Sequence, residues 1–430
     1  MTTTPSPARA GAPALAILFA VAFINLVGFG LVIPLLPFYG QAFHAPAWQI
    51  ALMFSAYSLG QFFAEPFWGR LSDRIGRKPV ILVTVLCNAA GYLMLAFAPT
   101  LWAAIAIRLF TGLGAGNIST IQGYVADVTP PEQRAGRMGL IGAAFGLGFI
   151  VGPGLGGLLT HKELGRFGYQ LPIFTASGLC VLAALGVMLF LKESRARADP
   201  AVLRPPFLAG VREALANPVV SRVLLVTLIY MAGFSGMEST FGLWAESHFG
   251  WGAREVGYSF MAVGIVSTLC QGLLAGRLAR RFGEARVLAV GCLMFGSGLV
   301  GQVAVSHFTT AGAGVTVHLL SRAITLHSDL LVPVMMGFGA FGMAITMPNI
   351  SALISRSIDP ERQGAMLGLN MASSSIARIF GPLVAGGVFT FVGHDWPFLI
   401  GAMLTVPASV MAINAGRAFR RRQATATGAA

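Results

Sequence analysis

Polar and apolar positions in this chain alternate in long blocks rather than residue by residue. Apolar stretches lie near residues 12–39, 48–68, 80–99, 101–124, 138–160 and 170–191. Six more lie near 221–246, 255–275, 287–308, 331–355, 365–391 and 396–416. About 20 apolar residues in a helix cross the hydrocarbon of a bilayer, so each stretch predicts one membrane-spanning helix. The predicted organisation is an N-terminal six-helix half over residues 1–191, a cytoplasmic linker over 192–220, a C-terminal six-helix half over 221–416 and a cytoplasmic basic tail over 417–430. The linker carries Pro200, Pro205 and Pro206 among mixed charges. The first run, Ala12 to Tyr39, is too long for the core of a signal peptide and reads as a retained span.

Charge then orients the spans. With both termini in the cytoplasm, 23 of the 29 Lys and Arg fall on the inside, 4 fall outside, and Arg108 and Arg378 remain within spans. That asymmetry follows the positive-inside rule. It also accounts for the net charge of +13 without nucleic acid, since a basic face toward anionic lipid suffices. Only 10% of residues are charged and 55% are hydrophobic, against about 25% charged in soluble domains. That contrast excludes most soluble enzymes, nucleic-acid binders and disordered chains. Cys87, Cys180, Cys270 and Cys292 all lie in apolar stretches with no CxxC pair, which argues against a metal cluster or a disulfide framework.

The chain also repeats itself. Gly69-Arg-Leu-Ser-Asp-Arg-Ile-Gly-Arg-Lys-Pro-Val80 returns as Gly276-Arg-Leu-Ala-Arg-Arg-Phe-Gly-Glu-Ala-Arg-Val287, at an offset of 207. Pro131 to Gly139 returns as Pro360 to Gly368, and Gly152-Pro153 as Gly381-Pro382, at an offset of 229. The 22 additional residues of the second half fall between its second and fifth spans, and the polar stretch 309–330 is the expected place. Two parallel repeats with a site between them suit a transporter that rocks between two states.

The motifs point to a family. Gly69-x-Leu71-Ser72-Asp73-Arg74-x-Gly76-Arg77-Lys78-Pro79 resembles the loop between spans 2 and 3 of the major facilitator superfamily. Arg108-x-x-Thr111-Gly112-x-Gly114-Ala115 resembles its span 4 motif, and Gly148-x-x-x-Gly152-Pro153-x-x-Gly156-Gly157 the span 5 motif of its drug:proton antiporters. Asn25-x-x-Gly28-x-Gly30-x-x-x-Pro34 and Ala143-x-Phe145-Gly-Leu-Gly-x-Ile150 are similar to the twelve-span tetracycline/proton antiporters. The resemblance covers the whole chain and implies an all-α membrane protein with 12 transmembrane helices in two pseudo-symmetric halves. Two positions differ. Asn25 stands where those exporters carry an acid, and Gly91 where they carry another, with no acid anywhere in 81–126. The resemblance implies the transport reaction rather than that substrate.

It also implies roles for particular residues. Gly69, Asp73, Arg74, Gly76 and Arg77 would form a conformational latch, with Asp127 as the partner of Arg77 and Gly364 and Gly368 allowing close helix approach. The second copy has Arg280 where Asp73 stands, which predicts one strong latch rather than two. Gly148, Gly152, Pro153, Gly156 and Gly157 make a smooth, bent helix suited to an interface between halves that slides and seals. Charges within spans are costly and therefore candidates for function. Proton coupling falls to Glu238, Arg108, Arg378 and Glu65, with Glu238 and Arg378 expected at similar depth and paired. Glu65 has a structural role as its alternative reading, near the cytoplasmic mouth. Substrate-cavity candidates are Asn25, Asn117, Gln122, Tyr230, Glu238, Trp244, Asn349 and Asn370, with Ser373 to Ser375 alongside. The 31 Phe predict an apolar pocket with sparse polar groups.

GxxxxGK[ST], GxSxG and HExxH are all missing, so no catalytic residue, metal ligand or cofactor is expected, and the proton is the coupling ion. The expected protein is a proton-coupled efflux antiporter of small hydrophobic or amphiphilic compounds such as antibiotics. It would act as a monomer among lipids of a prokaryotic cytoplasmic (inner) membrane. Alternatives are a sugar or other metabolite transporter of the same fold, exporter or importer, and more remotely a non-transporting membrane receptor or a membrane enzyme.

Overall fold

A computed structural model describes residues 12–194, 207–308, 314–319, 322–359 and 362–428. Arg9, the linker prolines and the repeat residues Pro360 and Glu361 lie outside them. The chain divides into two compact units. The first takes residues 1–45 and 56–202, the second 46–55 and 203–430. Ten helices among the described residues are long and apolar enough to cross a membrane. Their outward faces carry large apolar side chains such as Leu182, Leu189 and Phe190, a surface that lipid covers and water would not.

The first unit contains α1 (Ala12–Val32), α2 (Leu36–Gln41), α4 (Arg77–Ala96), α5 (Leu101–Gly114), α6 (Ile118–Val128), α7 (Pro131–Leu159), α8 (Arg166–Phe190) and most of α3 (Ala47–Ile75). Within it, α1 packs on α7 and α8, and α4 on α5 and α8. Two of the expected spans are interrupted. The first breaks at Ile33-Pro34-Leu35, where proline supplies no N–H to continue the helix. The fourth breaks between Gly114 and Ile118, at Ala115-Gly116-Asn117. The break frees carbonyls, and the Trp68 indole N–H donates to one of them, Leu113 O, at 2.6 Å. Gly116 permits the break to lie against α3, since a Cβ there would stand 2.8 Å from the Ala64 carbonyl carbon.

The second unit contains α9 (Phe207–Ala216), α10 (Pro218–Phe249), α11 (Ala253–Cys270), α12 (Gly276–Phe282), α13 (Glu284–Phe308), α14 (Ser328–Arg356), α15 (Gln363–Phe391) and α16 (Trp396–Gly428). Here α13 packs on α14 and α16, α10 on α15 and α16, and α11 on α14. α10 has legible ends. The Asn217 side chain accepts from Val219 N at 3.0 Å, Pro218 opens the helix, and Gly250 closes it at φ 69°. The linker region is not wholly extended, because α9 forms within it. The last helix continues through the basic tail to Gly428. A π turn at Gln271–Ala275 joins α11 to α12. The 309–330 stretch holds an antiparallel hairpin, β1 (Gly314–Leu319) with β2 (Arg322–His327), in register from Gly314 opposite His327 to Leu319 opposite Arg322. Apolar periodicity did not reveal those strands.

Candidate functional site

The loop after α3 is held by one arginine. Arg77 opens α4 immediately after Gly76, whose φ of 108° is a conformation glycine adopts at little cost. The Arg77 guanidinium donates to Asp73 one helical turn back at 2.8 Å, to Asp127 at the end of α6 at 3.1 Å, and to the Ser72 hydroxyl at 2.6 Å. Gly123 leaves room for it, since a Cβ there would stand 2.7 Å from the guanidinium carbon. Arg74 sits in the last turn of α3. Sequence reasoning missed Glu193. Its carboxylate accepts from the backbone N–H of Arg77 at 2.8 Å and of Lys78 at 3.1 Å, capping α4. The Tyr124 hydroxyl donates to Lys192 O at 2.7 Å, tying the same segment to α6. Only its place just beyond an apolar run marked Glu193, and such a place ordinarily reads as solvated. Around Gly364 and Gly368 a Cβ would meet nothing among the described residues within 4 Å, and Gly69 has only Ser119 nearby.

The span 5 glycines face a helix of their own unit. A Cβ on Gly152 would come within 2.8 Å of Gly30 Cα, one on Gly148 within 2.8 Å of Leu26 Cβ, and one on Gly156 against Leu31 O at 2.5 Å. The stripe expected to serve sliding halves is thus taken up by α1. Small residues let two backbones touch, and Pro153 lies in that seam against Gly30. Gly157 is buried beside them. In the second unit Gly381 meets Ala232 O and Ser235 of α10 in the corresponding way.

Two charged centres lie inside spans. Arg108 is 1% exposed, with its guanidinium 4.3 Å from the centre of the Tyr57 ring on α3, a partner the sequence did not suggest. Glu238 lies mid-way along α10 with 2% of its side chain exposed, and Arg378 reaches it from α15 at 3.3 Å. Glu65 is half-buried and accepts from Gln61 at 3.0 Å, one turn away on the same helix.

The cavity candidates fall into three groups. Asn25 accepts from the Asn88 amide at 3.3 Å, and its own amide N–H has no partner among the described residues. Asn117, at the break of span 4, and the Tyr230 hydroxyl are likewise buried and unsatisfied there. Asn370 and Asn349 are committed, Asn370 accepting from Thr227 at 2.7 Å and Asn349 donating to Ile345 O at 2.7 Å. Trp244 is fully enclosed among Phe241, Phe249 and Phe398, and donates to Asp395 at 2.7 Å. Gln122 is exposed. Gly91 has a steric explanation, because a Cβ there would collide with the Thr111 side chain.

The family profile of the Major Facilitator Superfamily matches residues 18–326 and 302–428. The chain belongs to the Major Facilitator Superfamily. It is an integral membrane transporter of small molecules and not an enzyme. Its relatives in this superfamily include Multidrug resistance protein 2 of Bacillus subtilis, 27% identical over 396 residues, covering 91% of this chain and 92% of that one. Tetracycline resistance protein, class C, of Escherichia coli is 29% identical over 402 residues, covering 91% and 94%. Among solved structures the fold is similar to the human organic anion transporter MFSD10 (TETRAN), with a TM-score of 0.63 at 23% identity over 93% of this chain and 99% of that one. A bacterial homologue of the human lysosomal transporter Spinster matches with a TM-score of 0.70 at 14% identity over 97% and 98%.

Proposed function

We propose that this Major Facilitator Superfamily transporter is a proton-coupled antiporter that exports small hydrophobic or amphiphilic compounds, antibiotics among them. It crosses a prokaryotic inner membrane twelve times as two six-helix halves, with both termini in the cytoplasm, and works as a monomer. Alternating access exposes a substrate cavity first to one side of the membrane and then to the other. The names of the multidrug and tetracycline resistance relatives support the substrate class. The observation that carries the coupling is the Glu238–Arg378 pair, an acid with 2% of its side chain exposed facing one cation at 3.3 Å inside a span. Such a pair is costly to open while the acid is ionised. Protonation of Glu238 from outside neutralises the acid, releases Arg378 and allows the conformational change that discharges substrate. Return of the proton to the cytoplasm restores the pair.

The test uses proteoliposomes with an imposed pH gradient and an internal pH dye, challenged with lipophilic dyes and antibiotics. Substrate addition to the wild-type protein moves protons opposite to substrate, and Glu238→Gln abolishes that movement. Substrate flux without proton movement refutes the coupling. If Arg378→Ala leaves expression and transport intact while Glu238→Gln abolishes transport, the pair is not the switch.

A further inference from the structure

At one end of the second unit a carboxylate sits between two histidines. Asp395 directly precedes α16, His248 lies in the last turn of α10 and His307 in the last turn of α13. Both of those helices pack on α16. The Trp244 indole N–H donates to Asp395 Oδ1 at 2.7 Å and holds the carboxylate in place. His248 Nε2 stands 3.4 Å from Oδ1, and His307 Nε2 stands 3.9 Å from Oδ2. The other ring nitrogen of each histidine is committed. His248 Nδ1 lies 3.0 Å from Trp244 O and His307 Nδ1 3.0 Å from Val303 O, one turn back on the same helix in both cases. A carbonyl oxygen only accepts, so the hydrogen is assigned to Nδ1, and the Nε2 of a neutral ring presents a lone pair to the carboxylate. Two acceptors make no hydrogen bond. A proton on Nε2 turns each contact into a charge-assisted one.

The helix ends favour that proton. A helix C-terminus carries partial negative charge and stabilises a cation, and an N-terminus stabilises an anion. Both histidines stand at C-termini and Asp395 at an N-terminus, so each charge of the protonated cluster sits at the matching pole. The His248 and Asp395 side chains are each 22% exposed, open enough to exchange protons with water and enclosed enough to feel each other. His307 is 63% exposed and contributes less. Other titratable groups stand around the cluster. His394 stacks on Phe389 at 4.4 Å and meets the His248 ring edge-on at 6.4 Å. Glu246 precedes His248 on α10. On α11, Glu255 accepts from Gly252 N and Arg254 donates to the Tyr258 hydroxyl. His327, which precedes α14, is exposed. No three His, Cys, Asp or Glu side chains among the described residues are placed to hold a metal ion, which leaves the proton as the occupant.

We propose that His248, Asp395 and His307 form a proton-binding clasp that ties the ends of α10, α13 and α16 together as the medium turns acid. Imidazole ordinarily changes charge between about pH 5 and 8. The clasp is closed below that range and open above it, so its stabilisation is gained as pH falls. This end of α10 faces outside in the topology proposed above, and only that sidedness rests on the proposed function. The test follows the purified protein in detergent from pH 8 to pH 6. Asp395→Asn keeps the shape and an acceptor for Trp244 but removes the charge. Over this range the melting temperature of the wild type gains about 2 °C on that of Asp395→Asn, and His307→Gln removes the smaller part of that gain. A second readout is optical. The Trp244 and His248 rings are 5.1 Å apart, and a protonated imidazole accepts an electron from an excited indole and quenches its emission. Wild-type tryptophan emission falls reversibly between pH 8 and pH 6 by an amount that His248→Gln and Trp244→Phe each remove. If the melting difference between wild type and Asp395→Asn is the same at both pH values, or if His248→Gln and the wild type lose emission alike, no proton closes the clasp and the inference fails. Neither readout involves transport, so the clasp and the efflux reading stand or fall separately.

Discussion

At the turn between α3 and α4, Arg77 reaches Asp127 at the end of α6. At the turn between α12 and α13, Glu284 reaches Arg356 at the end of α14. By the repeat offsets of 207 and 229, Arg77 corresponds to Glu284 and Asp127 to Arg356. The two units therefore make the same bond with the charges exchanged. A left-handed glycine precedes each, Gly76 at φ 108° and Gly283 at φ 83°. The surroundings differ. The Arg77 side chain is 8% exposed and also holds Asp73 and Ser72, while Glu193 caps the helix it opens. The Arg356 side chain is 55% exposed and lies over the Phe419 ring at 5.7 Å. Tying two helix ends together requires opposite charges and is indifferent to which end is positive. A rigid network further requires partners from a third element, which the first unit supplies through Glu193.

The comparison can be broken by substitution. Arg77→Ala leaves Asp73 and Asp127 facing each other without their cation, and lowers stability by about 3 kcal/mol, whereas Arg356→Ala costs no more than about 1 kcal/mol. Thermal unfolding of the detergent-solubilised protein measures both, and equal losses would show that the two copies are equivalent. Gly76→Ala and Gly283→Ala both meet backbone strain of about 1–2 kcal/mol, but only at position 76 does the new methyl also strike the Glu193 carboxylate. The first variant therefore unfolds at the lower temperature. Glu193→Gln weakens the cap of α4 and costs about 1 kcal/mol, the smallest of the first-unit effects, read in the same melting assay.

Much of this was legible along the chain. Charges within apolar runs must be paired in a membrane, which singled out Glu238 and Arg378, and the resemblance of the loop to the superfamily's motif singled out Arg77 and Asp127. Glu193 and Tyr57 were not legible. Glu193 sits in a polar segment where a charge needs no partner, and Tyr57 is an aromatic among many apolar neighbours. The span 5 stripe was half legible, because glycine spacing names a smooth face and not the helix that fills it. The Glu284–Arg356 pair was not legible either, because the charges of the first copy are exchanged in it and the repeat alone does not name a partner.

The sequence by itself determined where the long apolar helices run, that its motifs repeat, and which charges stand inside apolar segments. Helical hydrogen bonds close within four residues and hydrophobicity is counted along the chain, so these properties are local. Only the tertiary structure decided that span 5 closes on α1, that Arg108 lies against Tyr57, that Trp244 is enclosed, and that His248 and His307 meet at Asp395. Each depends on which helix faces approach, a matter of packing between segments far apart in the chain. Hydropathy in a membrane does not choose between those faces, because lipid satisfies an apolar surface as well as protein does.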